Sequence, residues 1–147
     1  MNVSKLVVLI TITSLLFISA CFNQAPSKIT QINDPEVVAV AFFNALYNER
    51  NVKKAASVCT PKLARLLLHY QSPEAVGRHL FNMSFDQVKI SPDSYGVKIR
   101  EQFTGSANIN IYFDGYYQGN KHKDIKRLAT VQKDGKWFID KLLKDPF

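Results

Sequence analysis

The apolar residues of this chain change period near its middle, and that change limits what it can fold into. Val38, Ala41, Phe42, Ala45 and Leu46 recur at helical spacing, with Val37, Phe43 and Tyr47 widening the stripe. That spacing lays one apolar face along a helix. Further on, Tyr95, Val97 and Ile99 alternate with Gly96, Lys98 and Arg100, and Ala107, Ile109, Ile111 and Phe113 alternate with Asn108, Asn110 and Tyr112. Strict alternation buries one face of a strand. Helices followed by strands predict an α+β fold with an antiparallel sheet.

Local signals punctuate both halves. Asp34-Pro35, Thr60-Pro61 and Ser72-Pro73 each pair a capping residue with a proline in the first turn, and Glu36 favours the positive end of the first helix dipole. "NERN" ends the first helix, and a short helix is expected over Val52 to Val58. "ATVQKDGKWFID" reads as a hairpin turning at Asp134-Gly135. Phe85 to Ile90 is a weaker strand candidate, "GYYQGNKHKDIKR" reads as a loop running into a strand, and Asp114-Gly115 reads as a turn.

The front of the chain obeys other rules. Lys5 precedes an uncharged apolar run from Leu6 to Ile18. As a helix, that run spans about 20 Å, short of the ~30 Å bilayer core and suited to a signal-peptide core. It lacks the strongly polar face of a surface-lying amphipathic helix. It stops at "ISAC", where Ile18 stands at a position that ordinary signal cleavage after Ala20 would want small. Residues 22–33, "FNQAPSKITQIN", show neither period and read as a flexible tether reaching on the order of 20 Å. The expected organisation is a signal segment over 1–20, a modified cysteine and tether over 21–33, and a folded domain over 34–147.

Placed behind a charged start and an apolar run, "ISAC" resembles the lipobox of bacterial lipoproteins. The resemblance implies a diacylglyceryl thioether on Cys21, which becomes the mature N-terminus with palmitate-type chains attached. Two or three acyl chains hold a protein firmly where one holds it marginally. Phe22, rather than an aspartate, follows the cysteine, which by the same resemblance implies the outer membrane, facing the periplasm.

The rest is a basic chain of one-domain length, with 147 residues and a formal charge of +7, of which only Lys5 lies in the signal segment. Two cysteines make no disulfide scaffold, and with Cys21 lipidated, Cys59 in "AASVCTP" reads as a small core side chain. His69, His79 and His122 are scattered without metal-ligand spacing, and no Gly-rich phosphate loop or Gly-x-Ser-x-Gly turn occurs. No cofactor or metal is expected, and an exported chain makes nucleic acid an unexpected partner.

"PEVVAVAFFNALYNERNVKKAASVCTP" at the front and "VQKDGKWFIDKLL" at the end resemble the nuclear-transport-factor-two-like superfamily, and more narrowly small bacterial lipoproteins with that fold. The resemblance implies N-terminal helices packed in the hollow of a curved, cone-like sheet. In its enzymes, such as isomerases and dehydratases, a carboxylate or histidine inside the cone does acid–base work, desolvation raising its pKa. The candidates here are Asp86, Glu101 and Asp114, with Tyr95 or Tyr112 as donors, and each has a plainer reading: solvated strand positions or strand ends for Asp86 and Glu101, a turn for Asp114. Phe43, Tyr47, Tyr95, Phe113 and Trp137 either line a pocket for a small apolar ligand or fill the core. Lys121, Lys123, Lys126, Arg127, Lys133 and Lys136 suit an anionic partner or a solvated strand edge. The expectation is a non-catalytic, membrane-anchored module that binds a small apolar ligand or an envelope protein. A small isomerase-like enzyme and a structural homodimer are the alternatives.

Overall fold

Each helix begins at a marked start, and most of the expected caps close. The computed structural model describes residues 34–92 and 101–144, with side chains omitted at 101–103. Cys21, the whole opening segment and Tyr95 therefore lie outside the described residues. Helix α1 (Pro35–Tyr47) starts with Asp34 Oδ1 accepting from the Glu36 amide at 2.8 Å. Helix α2 (Val52–Ser57) is capped by Asn51, which accepts from the Lys54 amide at 2.9 Å. Helix α4 (Pro73–Val76) is capped by Ser72, and it runs on into a π-helical turn over Gly77–Phe81. Asn82, with a left-handed φ of 49°, ends that turn.

The expected cap at Thr60 fails. Helix α3 (Pro61–His69) starts there without a side-chain hydrogen bond, and Thr60 Oγ1 is buried with no partner among the described residues. The backbone explains this. The Thr60 amide donates to Ile139 O at 2.8 Å, and the Ile139 amide donates to Val58 O at 2.9 Å. Bonding to the neighbouring strand fixes the residue in an orientation that its hydroxyl cannot exploit.

Five strands follow: β1 (Gln87–Pro92), β2 (Glu101–Phe103), β3 (Ser106–Tyr117), β4 (Asn120–Lys133) and β5 (Lys136–Leu142). They form an antiparallel sheet in the order β1-β3-β4-β5, with β2 pairing the other end of the same edge of β3. A register shift between Ala129 and Thr130 bends the sheet, as bulges do. Two tight turns carry positive φ at both central residues, Gln118-Gly119 (50° and 77°) and Asp134-Gly135 (50° and 74°). That geometry matches the twist of the flanking strands. The second turn is the expected one. The first replaces the loop expected over "GYYQGNKHKDIKR" with a long β3–β4 hairpin, in which Asp114 and Gly115 stand mid-strand rather than at a turn.

Helix α1 lies across one face of the sheet, in contact with β1, β3, β4 and β5. It buries Val38, Ala39, Phe42, Phe43, Ala45, Leu46 and Tyr47 there. Strand β3 answers with alternating burial, turning Ala107, Ile109, Ile111 and Phe113 inward. Removing a Phe or Leu side chain from water contributes about 1.5–3 kcal/mol, so this layer dominates the stability of the fold. Register then decides which β4 residues share the face: Thr130 lies opposite Ala107, Leu128 opposite Ile109, Lys126 opposite Ile111 and Asp124 opposite Phe113. The architecture is α+β, with N-terminal helices packed on the inner face of a curved antiparallel sheet.

Candidate functional site

The interior aromatics pack against one another. Phe43 meets Phe113 edge-to-face with ring centroids 4.8 Å apart, Phe42 at 4.9 Å and Phe81 at 5.2 Å. Phe85 stacks on Phe113, and Tyr47 closes the cluster against Phe85 at 5.7 Å. Such offset and T-shaped contacts satisfy the ring quadrupoles. Phe43 and Phe113 are essentially inaccessible, and Trp137 is buried on β5 opposite Gln132, near the far hairpin. Of the aromatic residues expected to line a pocket, Tyr47 reaches a cleft at the rim of this cluster, and Phe113 borders a groove that opens on the outer face of the sheet.

The rim cleft lies where the α4 π-turn, the segment after it and the β3–β4 hairpin converge. One lobe of about 520 Å³ includes Tyr47, Arg50, Glu74, Arg78, Asp86 and Tyr117 in its lining. A second of about 230 Å³ adds His122 and Asp124, and the two share Arg78, Met83, Ser84, Phe85 and Tyr117. Close packing holds this geometry. A Cβ on Gly77 would come within 2.7 Å of Met83 O, so the π-turn sits closer to the segment that follows it than a side chain at this position allows. Tyr47 donates its hydroxyl to Met83 O at 3.3 Å, and Arg50 donates to both Phe85 O and Glu74 Oε1. Burial, and then the charge of Asp124, pushes the Tyr47 hydroxyl well above its ordinary pKa. It stays protonated, a fixed donor rather than a base.

Of the three acid–base candidates, Asp86 and Asp114 border one open hollow of about 500 Å³ with Tyr47 and Tyr116, and Glu101 stands apart from it. Asp86 is exposed at the rim, where Oδ2 accepts from the Gln118 amide at 2.7 Å and braces the β3–β4 turn. Asp114 is on the outer face of β3, 3.3 Å from Lys121 Nζ and 3.5 Å from Lys123 Nζ. Desolvation pulls its pKa upward, but the hydrogen bonds and charges of the two lysines outweigh that and hold the carboxyl below its ordinary value. Glu101 stands on β2 opposite Asn108. Tyr112 shares the outer face with Asp114, away from the aromatic interior.

Lys126, expected with the other basic residues on a solvated or anion-binding edge, is instead buried on the inner face, beside Asp124, which the sequence reading did not single out. Lys126 Nζ pairs with Asp124 Oδ1 at 3.3 Å, their side chains only 11% and 33% exposed. The signal was present as the alternation His122, Asp124, Lys126, Leu128, Thr130, but the opposite set on β4 is just as mixed. The basic residues grouped in sequence also separate in space. Lys126 faces the core, Lys121 and Lys123 engage Asp114, and Lys133 lies opposite Lys136 at the far hairpin. At about 3.3 Å per residue, Lys133 is roughly 40 Å along β4 from Lys121. No cluster of three potential metal ligands occurs among the described residues.

No protein-family model and no curated protein matches the chain. Among solved structures, Rd1NTF2_05, in a form carrying five substitutions, is similar over 72% of this chain and 90% of its own length, at 12% identity and a TM-score of 0.49. The architecture described above rests on this chain's own strand order and helix packing.

Proposed function

We propose that this chain is an envelope lipoprotein, held by a lipid on Cys21, whose α+β domain is a non-catalytic binding module. Its partner is an envelope protein that inserts a segment at the rim cleft. One observation supports the rim over the interior: Phe42, Phe43, Phe81, Phe85 and Phe113 fill the hollow with their own ring contacts, whereas the rim opens lobes of about 520 and 230 Å³. The rim offers an apolar base in Met83 and Phe85, hydroxyls from Ser84 and Tyr117, the exposed guanidinium of Arg78 and the carboxylate of Asp124. Mixed donors, acceptors and small apolar area suit a polypeptide segment, which presents all three. By resemblance to lipoprotein sorting, Phe22 rather than an aspartate after the cysteine supports outer-membrane placement.

Photo-crosslinking in the host tests the binding site. A photoreactive residue replacing Arg78 or Ser84 should give one discrete protein adduct, and one replacing Lys62 on α3 should give none. Absence of any rim adduct, or equal adducts at all three sites, would refute the proposal. Labelled palmitate should enter the wild-type chain and not Cys21→Ser, which tests the anchor separately.

A further inference from the structure

We infer that the outer face of the sheet, at the corner formed by β1, β3 and β4, is a docking surface for anionic phospholipid headgroups. This rests on the reading that the domain is held at a membrane. Register assembles the surface. Lys89, Asp114 and Lys123 form one cross-strand row, Gln87, Tyr116 and Lys121 the next, and Ser91, Tyr112 and Ile125 the row on the other side, with Arg127 opposite Asn110 beyond it. Among the described residues of the first three rows, three cations (Lys89, Lys121 and Lys123) stand against one carboxylate, Asp114.

That carboxylate organises the patch. Asp114 holds Lys121 at 3.3 Å and Lys123 at 3.5 Å, yet the two lysine side chains stay 54% and 70% exposed. Their ammonium groups are thus gathered on one face while remaining open to a second anion. Lys89 has no ion-pair partner among the described residues. A groove of about 540 Å³ runs between Lys89 and Lys123, bordered by Ser91, Tyr112 and Ile125 and by the acidic residues Asp114 and Asp124. Neighbouring strands lie about 4.8 Å apart, so Lys89 and Lys123, two strands apart, straddle roughly 10 Å. A phosphate between them meets cations on both sides, and the Asp114 carboxylate beneath it is already engaged by Lys121 and Lys123.

The aromatic residues favour a lipid surface over a soluble polyanion. Tyr116 is 50% exposed beside Lys121, and Tyr112 borders the groove. A tyrosine ring with a polar tip suits the boundary between headgroups and acyl chains. Lysine stems lie along apolar surface while their heads stay in water. Each cation near an anionic membrane strengthens attachment by about fivefold.

The test uses the full chain mixed with vesicles of phosphatidylcholine alone or with roughly one part in three phosphatidylglycerol. Floated protein is treated with an amine-acylating reagent and mapped by mass spectrometry. With phosphatidylglycerol, acylation of Lys89, Lys121 and Lys123 should fall at least about fivefold, while Lys53 and Lys62 on the helices stay unchanged. About 1 M salt, where screening reaches ~3 Å, should restore it. In Lys121→Gln/Lys123→Gln, protection of Lys89 should disappear, and Tyr116→Ser should weaken it. Unchanged acylation in floated protein, or equal protection of Lys53 and Lys62, would overturn the inference. Equal protection by a soluble polyanion such as heparin would overturn it in favour of an acidic polymer. Failure to float with phosphatidylcholine alone would instead count against the anchor, with anionic vesicles still protecting the three lysines if the face binds them.

Discussion

Lys126 Nζ lies 3.3 Å from Asp124 Oδ1 on the core side of β4, directly beside Ile111 and Phe113 across the β3 register. The pair is lopsided, because the lysine side chain is 11% exposed and the carboxylate 33%. Losing either partner therefore has unequal consequences. Asp124→Asn takes a charged partner from a deeply buried ammonium and should cost about 1–3 kcal/mol. Lys126→Met replaces the ammonium with apolar volume and leaves a carboxylate that water still reaches, so it should be near neutral. Urea unfolding of the two variants checks the order; equal losses would contradict it.

The Phe43–Phe113 contact should behave as core. Truncating either ring to alanine is expected to cost about 3–5 kcal/mol. A double-mutant cycle should show coupling of about 0.5–1.5 kcal/mol beyond burial. Stability unchanged by either truncation would mean that the rings line open space.

Gly115 permits the close approach of β1 to β3. A Cβ there would collide with Gln87 O and come within 2.9 Å of the Phe85 ring and Val88 Cα. Gly115→Ala should cost about 1–3 kcal/mol through forced displacement. Amide hydrogen exchange should speed at Val88 and Ile90 while the β4–β5 hairpin stays protected. Uniform acceleration across the sheet would argue against a local cause.

Burial raises the Cys59 thiol from 9.0 to about 12. The folded chain then keeps a proton that the unfolded chain releases, so this contribution is intact below about pH 9 and is lost as pH climbs toward 12. Over that window stability should fall by up to about 1.4 kcal/mol per pH unit. Tyr47, raised in the same direction, adds to the fall above pH ~10. Unfolding titrations should show a shallower alkaline slope for Cys59→Ala than for the wild type. At pH 8 the thiol should react with iodoacetamide only after denaturation; rapid native labelling would exclude the buried assignment.

Much of the fold was legible because it depends on local terms. Asp34 and Ser72 cap helices as their sequence context indicates, and Asp134-Gly135 turns a hairpin because that pair tolerates positive φ. Gln118-Gly119 forms the same kind of turn, but the basic run after it obscured the strand pattern. Thr60 had the right residue type, yet its amide bonds to Ile139 O, 79 positions along the chain, and no local signal reports such a bond.

By itself, the sequence determined the helix-then-strand order, the inward face of β3 and the apolar helix stripe, because each follows from the spacing of neighbours along one element. Only the tertiary structure decided that His122, Asp124 and Lys126 turn inward while Lys121 and Lys123 turn out. Both faces of that part of β4 are mixed, and a slip of one residue would exchange them. The choice was made by pairing Asp124 with Phe113 and Lys126 with Ile111. That register, together with the close fit of Gly77 and Gly115, places the rim cleft and the cationic outer face on opposite sides of one sheet.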